Sequence, residues 1–159
     1  MTSNRLLGLI RRDRRRFDAT LARVPLNRLK EPILPGGWSV KDVLAHIAWG
    51  DREDAGVARS RALVGSDLWE LSDDERNAVV VRDSRSRPLE EVLEEYRDSF
   101  AEYVTAITSL SDEDLNDPSR ITSLAERVPG WTPWRVLYDP DHYRDHREAI
   151  EYAFALGPT

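Results

Sequence analysis

Apolar residues recur at helical spacing in four long stretches of the chain, and this pattern constrains the fold more than any other feature. The third stretch is the most regular, with apolar side chains three or four residues apart from Leu89 to Leu110. Pro88 suits the first turn of the helix that this stretch predicts. No segment between the four stretches shows the alternation of a β-strand. We therefore expect an all-α protein, and four amphipathic helices predict a four-helix bundle.

Turn residues and helix caps set the expected ends of the first two helices and of one shorter helix. Pro25 ends the first helix, and Ser39 is a suitable N-cap for the second. The second helix is expected to end near Gly65. An acidic connection to the third helix follows, and it is expected to hold a short extra helix near residues 72–81.

The fourth helical stretch runs from about Thr132 to Leu156 and contains a proline. Pro140 would remove one hydrogen bond from a continuous helix and kink its axis. In a second interpretation, the segment from Thr132 is a separate turn, and the main helix begins at Pro140 with Asp139 as its N-cap. The sequence alone leaves both interpretations open.

Length and composition limit the class of protein. The chain has 159 residues, which fits a single domain spanning residues 1–159. No segment approaches the roughly 20 apolar residues that cross a bilayer, so we expect a cytoplasmic protein without a membrane partner. Cysteine is absent, which excludes disulfide scaffolds, thiolate metal sites and cysteine nucleophiles.

The charge of the chain argues against nucleic acid as a partner. The net charge is −6, whereas a protein that grips a phosphate backbone is usually basic. Five arginines between positions 11 and 16 form the one basic cluster. Because most of them lie away from the apolar stripe of the first helix, we interpret this cluster as a solvated helix face.

The three histidines of the chain fall into a pattern that suggests metal binding. His142 and His146 are one helical turn apart and share a face with Ile150, so both imidazoles are expected to point into the bundle. Burying two imidazoles is unfavourable unless their nitrogens find partners, and a divalent metal is one such partner. His46, on the second helix, would be the third ligand, and three histidines leave a coordination position open. Histidines at a helix surface, or hydrogen-bonded in a core without metal, are the alternative.

Several other residues have two interpretations at this stage. Asp42 and Asp139 lie one turn or less before a histidine and could orient the imidazole rings. Asp51 holds an inward position, where it could either serve a pocket or mark the point at which the second helix reaches water. Trp49 lies off the main apolar face of its helix and could line a second packing surface or a homodimer contact.

One short pattern occurs twice along the chain. Residues 37–39 read Gly-Trp-Ser and residues 130–132 read Gly-Trp-Thr, each followed at the same spacing by Val-Leu. The pattern fits a device in which glycine frees the turn, tryptophan packs on the end of the bundle, and Ser or Thr caps the helix. A coincidence of two helix starts explains it equally well.

The segments around the histidines resemble a known superfamily. Residues 37–46, GWSVKDVLAH, resemble the second-helix signature of the DinB/YfiT-like superfamily, and residues 141–146, DHYRDH, resemble its last-helix signature. The resemblance implies a four-helix bundle with one divalent metal, for which zinc, nickel and iron are all plausible. It also implies that the ligands are His46, His142 and His146. Residues 77–99 and the later Gly-Trp look most similar to the ClbS/DfsB branch.

The resemblance implies a range of chemistry rather than one reaction. Some members are transferases or isomerases that use a low-molecular-weight thiol such as mycothiol, and a ClbS-type member opens an electrophilic cyclopropane. The expected function is therefore a metal-dependent enzyme that activates water or a thiol for attack on a small electrophile or metabolite, as a hydrolase, a thiol transferase or a self-resistance protein. The alternative is a metal-free protein of the ClbS/DfsB type that binds or sequesters a small molecule. No general acid or base is identified, and a homodimer is compatible with either function.

Overall fold

The computed structural model describes residues 1–63 and 65–158, without the side chain of Trp69. Eight α-helices make up most of this part of the chain. In chain order they are α1 (Ser3–Leu21), α2 (Val40–Ser60), α3 (Asp73–Ser86), α4 (Leu89–Thr108), α5 (Asp112–Asn116), α6 (Leu124–Arg127), α7 (Pro133–Val136) and α8 (His142–Ala153).

Helices α1 and α8 run in the same direction, side by side. The hydroxyl of Tyr138, just before α8, donates a hydrogen bond to Asp13 in the middle of α1. Near the other end of both helices, Thr20 Oγ1 donates to Glu151 at 2.8 Å. Because residue numbers increase in the same direction along both helices, α1 and α8 are parallel.

Helices α2 and α4 form the second parallel pair. Lys41, at the start of α2, donates a hydrogen bond to the carbonyl oxygen of Arg87 just before α4. Near their ends, Arg59 Nη1 lies 3.5 Å from Glu102 Oε2. Parallel neighbours need a long connection, and residues 61–88, which include α3, provide it.

The two pairs run in opposite directions. Ser3 at the start of α1 contacts the carbonyl oxygen of Ile107 near the end of α4, whereas Arg14 contacts that of Tyr96 nearer its start. Helices α1, α2, α4 and α8 therefore form an up-down-down-up bundle, which confirms the four-helix bundle. The extra helix between the second and third long helices is confirmed too, and it extends to Ser86.

The start of α2 is held by a set of local bonds. Gly36 and Gly37 both adopt positive φ, +71° and +73°, which other residues reach only with strain. Ser39 then caps the helix, accepting from the N–H of Asp42, while the Asp42 carboxylate accepts from the N–H of Ser39. This capping box fixes the first turn of α2, one turn before His46.

The prediction of one continuous fourth helix is wrong. The second interpretation, a separate segment followed by the main helix, is correct except for the residue at which the helix starts. The segment from Thr132 forms the short helix α7, and the main helix α8 begins at His142, two residues beyond Pro140. The break follows from Pro140, which has no N–H to donate and keeps Asp139 out of the helical conformation. The N-cap is Asp141 rather than Asp139, although Asp139 accepts a hydrogen bond from the N–H of Asp141.

The second helix is also shorter than expected. It ends at Ser60, where Arg61 takes the left-handed conformation with φ of 50° that often closes a helix. Of the helices in the described residues, none combines the length and the apolar character that a membrane span needs.

The core beside the histidines is apolar and well enclosed. Helices α1, α2, α4 and α8 all contribute to it, through Phe17, Val43, Leu44, Ile47, Val92, Tyr96, Tyr143 and Ile150. A second cluster fills the other end of the bundle around Leu6, Ile10, Ala55, Ile107 and Leu137. The packed core fixes the positions of α2 and α8, and with them the two helices that carry the histidines.

Candidate metal centre

The three histidines lie together between α2 and α8. One ring nitrogen from each of His46, His142 and His146 lies within 4.8 Å of the others, so the three residues could hold a metal ion. The ring centroids are 4.9–5.1 Å apart in all three pairs. The structure thus brings all three predicted ligands to one point.

The local backbone accounts for this convergence. His142 and His146 occupy the first two turns of α8 and face the same side, as their spacing of four residues predicts. Gly50, one turn after His46 on α2, faces His142, and a Cβ atom at this position would lie 3.6 Å from His142 Cε1. The two helices therefore approach closely where the imidazoles meet.

Trp38 covers one side of the three imidazoles. Its ring lies nearly parallel to that of His146, with centroids 6.1 Å apart and an angle of 18° between the planes. It meets His46 edge-on, at 5.4 Å. The tryptophan therefore packs on the histidines, and it excludes water from that side of the cluster.

Burial keeps the imidazoles neutral. Burial lowers the pKa of His46 to about 2, aided by the neighbouring histidines and by the Arg76 guanidinium. It lowers the pKa of His146 to about 4, together with His142. The pKa of His142 is lowered by burial as well, against the opposing charges of Asp139 and Asp145. Because a metal binds the deprotonated imidazole, all three rings are in the ligating form at neutral pH.

The hydrogen bonding of the three imidazoles is compatible with one cation as their common partner. Nε2 of His46 lies 2.8 Å from Nε2 of His142, so one proton can join these two rings. His146 makes no hydrogen bond within the described part of the chain. A cation between the rings would give each imidazole a partner for a nitrogen lone pair, and nitrogen is a ligand that zinc, nickel and iron accept.

The two carboxylates that the sequence suggested as ring-orienting partners, Asp42 for His46 and Asp139 for His142, bond to other groups. Asp42 accepts hydrogen bonds from Ser39 and, at 2.6 Å, from the Ser84 hydroxyl. Nδ1 of His46 is buried and has no partner among the described residues. Asp139 accepts from the backbone N–H of Asp141, just before α8, instead of from a histidine ring. The Asp42 carboxylate thus serves the cap of α2 and a bond to α3, and the Asp139 carboxylate serves the turn before α8.

Asp51 is buried, and it belongs to a polar network beside the cluster. The Tyr143 hydroxyl lies 3.3 Å from both of its oxygens, and Arg14 Nη1 lies 3.7 Å from Oδ2. Burial raises the pKa of Asp51 to about 7, against the lowering effects of Arg14 and of the Tyr143 hydrogen bond. The first of the two earlier interpretations holds, since Asp51 is 5% exposed and lines an interior pocket.

That pocket is a small cavity that reaches His142. Its volume is about 20 Å³, which is room for about one water molecule. Its walls include Asp51, Asp54, Tyr143 and Gly50. Burial and the neighbouring Asp51 raise the pKa of Asp54 well above its ordinary value. A carboxyl group with a raised pKa therefore lies on the same cavity as a histidine of the cluster.

Sequence reasoning missed Arg14 and Asp54. A signal for Arg14 was present, because it falls on the apolar stripe of α1 between Ile10 and Phe17. Its guanidinium is 3.5 Å from the centroid of the Tyr96 ring, and its other contacts bury it. Asp54 had no such signal, since its position depends on how α2 meets the segment before α8.

A larger cavity lies on another side of α2. It has a volume of about 510 Å³ and lies between α2, α3 and α4. Its apolar walls include Ala45, Trp49, Val79 and Val80, with charged side chains at the rim. Trp49 lines the cavity and lies 5.6 Å from the Arg76 guanidinium, which fits a second packing surface. Its part in a homodimer contact stays a prediction.

Comparison with known proteins gives a family. Residues 10–139 match the family described as the mycothiol maleylpyruvate isomerase N-terminal domain. The match includes His46 but ends before His142 and His146, so the convergence of the three rings is an observation of the structure alone. No curated protein and no solved structure matches the chain. The match does not confirm the ClbS/DfsB branch, which stays a prediction. The chain belongs to the mycothiol maleylpyruvate isomerase N-terminal domain family, and through it to the DinB/YfiT-like superfamily.

Proposed function

We propose that this protein is a metal-dependent enzyme that activates a thiol or a water molecule for attack on a small electrophile. The observation that carries the proposal is the convergence of His46, His142 and His146, whose candidate ligand atoms lie within 4.8 Å of one another. Three neutral imidazoles would hold zinc, nickel or ferrous iron and leave a coordination position for substrate. Bound there, the ion would supply Lewis acidity that lowers the pKa of a coordinated water or thiol.

The residues around the cluster prepare it for such chemistry. Trp38 excludes water from the side of His46 and His146. Tyr143 donates its hydroxyl proton toward Asp51, which ties the first turn of α8 to α2 and holds the adjacent His142 in place. Neutral imidazoles require no loss of a proton before ligation, so affinity is expected to be nearly independent of pH above 7.

The family supports a thiol rather than water as the nucleophile, and the composition of the chain limits the source of that thiol. The matching family is described by a mycothiol-dependent isomerase, so thiol chemistry occurs among its members. This chain has no cysteine, and a sulfur nucleophile must therefore come from a small molecule. The proposed substrates are a low-molecular-weight thiol and a small electrophilic metabolite.

A reconstitution assay tests the proposal. Untagged protein is stripped with a chelator, reloaded with zinc, nickel or ferrous iron, and assayed for mycothiol-dependent isomerisation of maleylpyruvate and for transfer of mycothiol to 1-chloro-2,4-dinitrobenzene with release of chloride. We expect activity only after reloading, and loss of at least about a hundredfold in His146→Ala. Tyr152→Ala, on the same helix and 91% exposed, serves as the control and should stay active. If the stripped protein or His146→Ala were as active as reloaded wild type, metal dependence would be contradicted.

A second function has one observation in its favour. The contact of 2.8 Å between the His46 and His142 rings shows that two of the imidazoles can satisfy each other without an ion. In this case the protein would bind or sequester a small molecule, for which the cavity of about 510 Å³ has the usual size. Protein that is purified without metal and whose unfolding temperature does not change with a chelator would favour this function.

A further inference from the structure

Two polar groups on the wall of the small cavity beside His142 have no hydrogen-bond partner in the described part of the chain. One is Asp54, whose carboxyl group forms neither a hydrogen bond nor an ion pair there. The other is His142 Nδ1, because the one hydrogen bond of this ring joins its Nε2 to His46. Since buried polar groups usually have a partner, two such groups on one cavity are expected to share one.

The spacing of residues along α2 places Asp54 in line with the histidine cluster. His46, Gly50 and Asp54 follow one another at intervals of four, so they lie on one face of the helix. A Cβ atom at Gly50 would lie 3.6 Å from His142 Cε1, and Gly50 is itself part of the cavity wall. Because Nε2 of His142 is turned toward His46, Nδ1 is the ring nitrogen that is available to the cavity.

The other two carboxyl groups on the cavity are already engaged. Asp51 lies 3.3 Å from the Tyr143 hydroxyl through both of its oxygens. Asp139 accepts a hydrogen bond of 2.9 Å from the backbone N–H of Asp141. Asp54 is therefore the carboxyl group of this wall whose oxygens have no competing partner among the described residues.

The cavity has the size and the chemistry for one bridging water molecule. Its volume of about 20 Å³ is room for about one water, and a buried water needs two to four polar partners. His142 Nδ1–H would donate to the oxygen of this water, and the water would donate to Asp54. A carboxyl group keeps an acceptor oxygen whether or not it is ionised, so the bridge does not depend on the charge of Asp54.

We infer that Asp54 is a positioning residue that acts on His142 through one water molecule. The bridge keeps the ring proton on Nδ1 and leaves the lone pair of Nε2 for a metal ion. Without a metal, the same tautomer accepts the hydrogen bond of 2.8 Å from Nε2–H of His46. His46 then has a bare Nδ1, which is the buried atom without a partner among the described residues. The effect on metal affinity rests on the proposed function, whereas the tautomer of His142 does not.

Long-range ¹H–¹⁵N NMR spectra of metal-free protein at neutral pH test the inference, because they distinguish a protonated ring nitrogen from a bare one. The signals of His142 are identified by their loss in His142→Gln. We expect the proton on Nδ1 in wild type and in Asp54→Asn, whose amide oxygen still accepts from the water. Asp54→Leu removes the acceptor and should shift the population toward the Nε2–H tautomer. An Nε2–H tautomer in wild type, or no shift in Asp54→Leu, would overturn the inference.

Zinc affinity, measured by competition with a chromogenic chelator, gives a second readout. Asp54→Leu should weaken zinc binding about tenfold or more, whereas Asp54→Asn should stay within about threefold of wild type. Asp98→Leu makes the same change at an exposed position of α4, and it should bind zinc as wild type does. Equal affinity of wild type and Asp54→Leu would overturn the inference. A wild type that binds no zinc would contradict the proposed function instead, and the tautomer of His142 would still decide the role of Asp54.

A pair of glycine variants displaces the water and keeps the carboxyl group. Gly50→Ala adds a methyl group on the cavity wall, at an ordinary van der Waals distance of 3.6 Å from His142 Cε1. Gly56→Ala, on the same helix, adds its methyl group to open space and is the control. Both should stabilise α2, because alanine favours a helix over glycine. Only Gly50→Ala should shift the tautomer of His142 and weaken zinc binding, and equal behaviour of the two variants would overturn the inference.

Discussion

Trp38 is the residue that contacts the histidine cluster most directly without being a candidate ligand. Its ring centroid lies 5.4 Å from that of His46 and 6.1 Å from that of His146. The indole is therefore close enough to an ion at the cluster for a paramagnetic metal to quench its fluorescence.

A fluorescence titration follows from this contact. Adding Ni²⁺ or Co²⁺ to metal-free protein should quench part of the tryptophan emission and saturate at one equivalent. Trp38→Phe should lose the saturable part of the response, whereas Trp131→Phe, which is 43% exposed at another place, should keep it. Emission that does not change, or an equal response in both variants, would show that no ion binds beside Trp38.

Asp51 gives a second prediction at this scale, through the pH dependence of stability. Its pKa is about 7 in the folded protein against an ordinary 3.8, so the folded state holds a proton that the unfolded state has released between these values. The contribution of Asp51 to the free energy of unfolding is therefore greatest below about pH 4. It falls as the pH rises to 7, by at most roughly 1.4 kcal/mol for each pH unit.

The comparison with Asp51→Asn isolates this contribution. Urea unfolding from pH 4 to pH 8 should show wild type losing stability relative to the variant as the pH rises through that window. Asp98→Asn, at an exposed position of α4, serves as the control and should follow wild type. A difference between wild type and Asp51→Asn that is constant with pH would mean that Asp51 keeps its ordinary pKa.

Single residues show how far a sequence can be read at this scale. The spacing of His142 and His146 predicted their shared face, because helix geometry alone sets it. The sequence did not predict that Asp42 bonds to Ser84 instead of His46, because Ser84 lies on α3, a helix distant in sequence. Arg14 is similar, because its burial rests on Tyr96 and on other partners from several helices.

At the scale of helices, the two related Gly-Trp-Ser and Gly-Trp-Thr segments turn out to differ. Ser39 caps α2 through a complete capping box. Thr132 makes no capping bond to α7, and its hydroxyl is buried without a partner among the described residues. Trp38 packs on histidines, whereas Trp131 is 43% exposed beneath Arg135. The repeated pattern is therefore a coincidence of two helix starts.

This difference predicts opposite outcomes for matched substitutions. Ser39→Ala should lower the free energy of unfolding by about 1–2 kcal/mol, because it removes the cap of a long helix. Thr132→Ala should leave it unchanged or raise it slightly, since it deletes a buried hydroxyl that has no partner. Urea unfolding of both variants measures the effect. A loss of similar size at Thr132 would contradict the assignment of the two caps.

Helix boundaries show the limit of reading elements from a sequence. The apolar period located all four long helices, and Pro140 allowed the break before α8 to be anticipated. The end of α2 at Ser60 was missed, because Arg61 closes it in a left-handed conformation that glycine usually adopts. The apolar period of the sequence identifies a helix reliably, but it locates the first and last residues of that helix less accurately.

At the scale of the whole molecule, the direction of the helices explains how distant residues meet. The parallel pair α2 and α4 requires the crossover through α3, and in the parallel pair α1 and α8 the last helix lies beside the first. This arrangement sets His46 of α2 against the first turns of α8. The number of bundle helices followed from the sequence, whereas the short helices α5 and α6 and the directions of the bundle helices did not. The directions required contacts between residues far apart in the chain.

The central claim is that the bundle holds one divalent ion through histidines from two helices. The most direct measurement is elemental metal analysis of untagged protein, for wild type, His46→Ala, His142→Ala and the control Tyr152→Ala. We expect one ion per chain in wild type and in the control, and none in the two histidine variants, because each removes one of three ligands. A wild type without metal, even after incubation with zinc, nickel or ferrous iron, would contradict the claim.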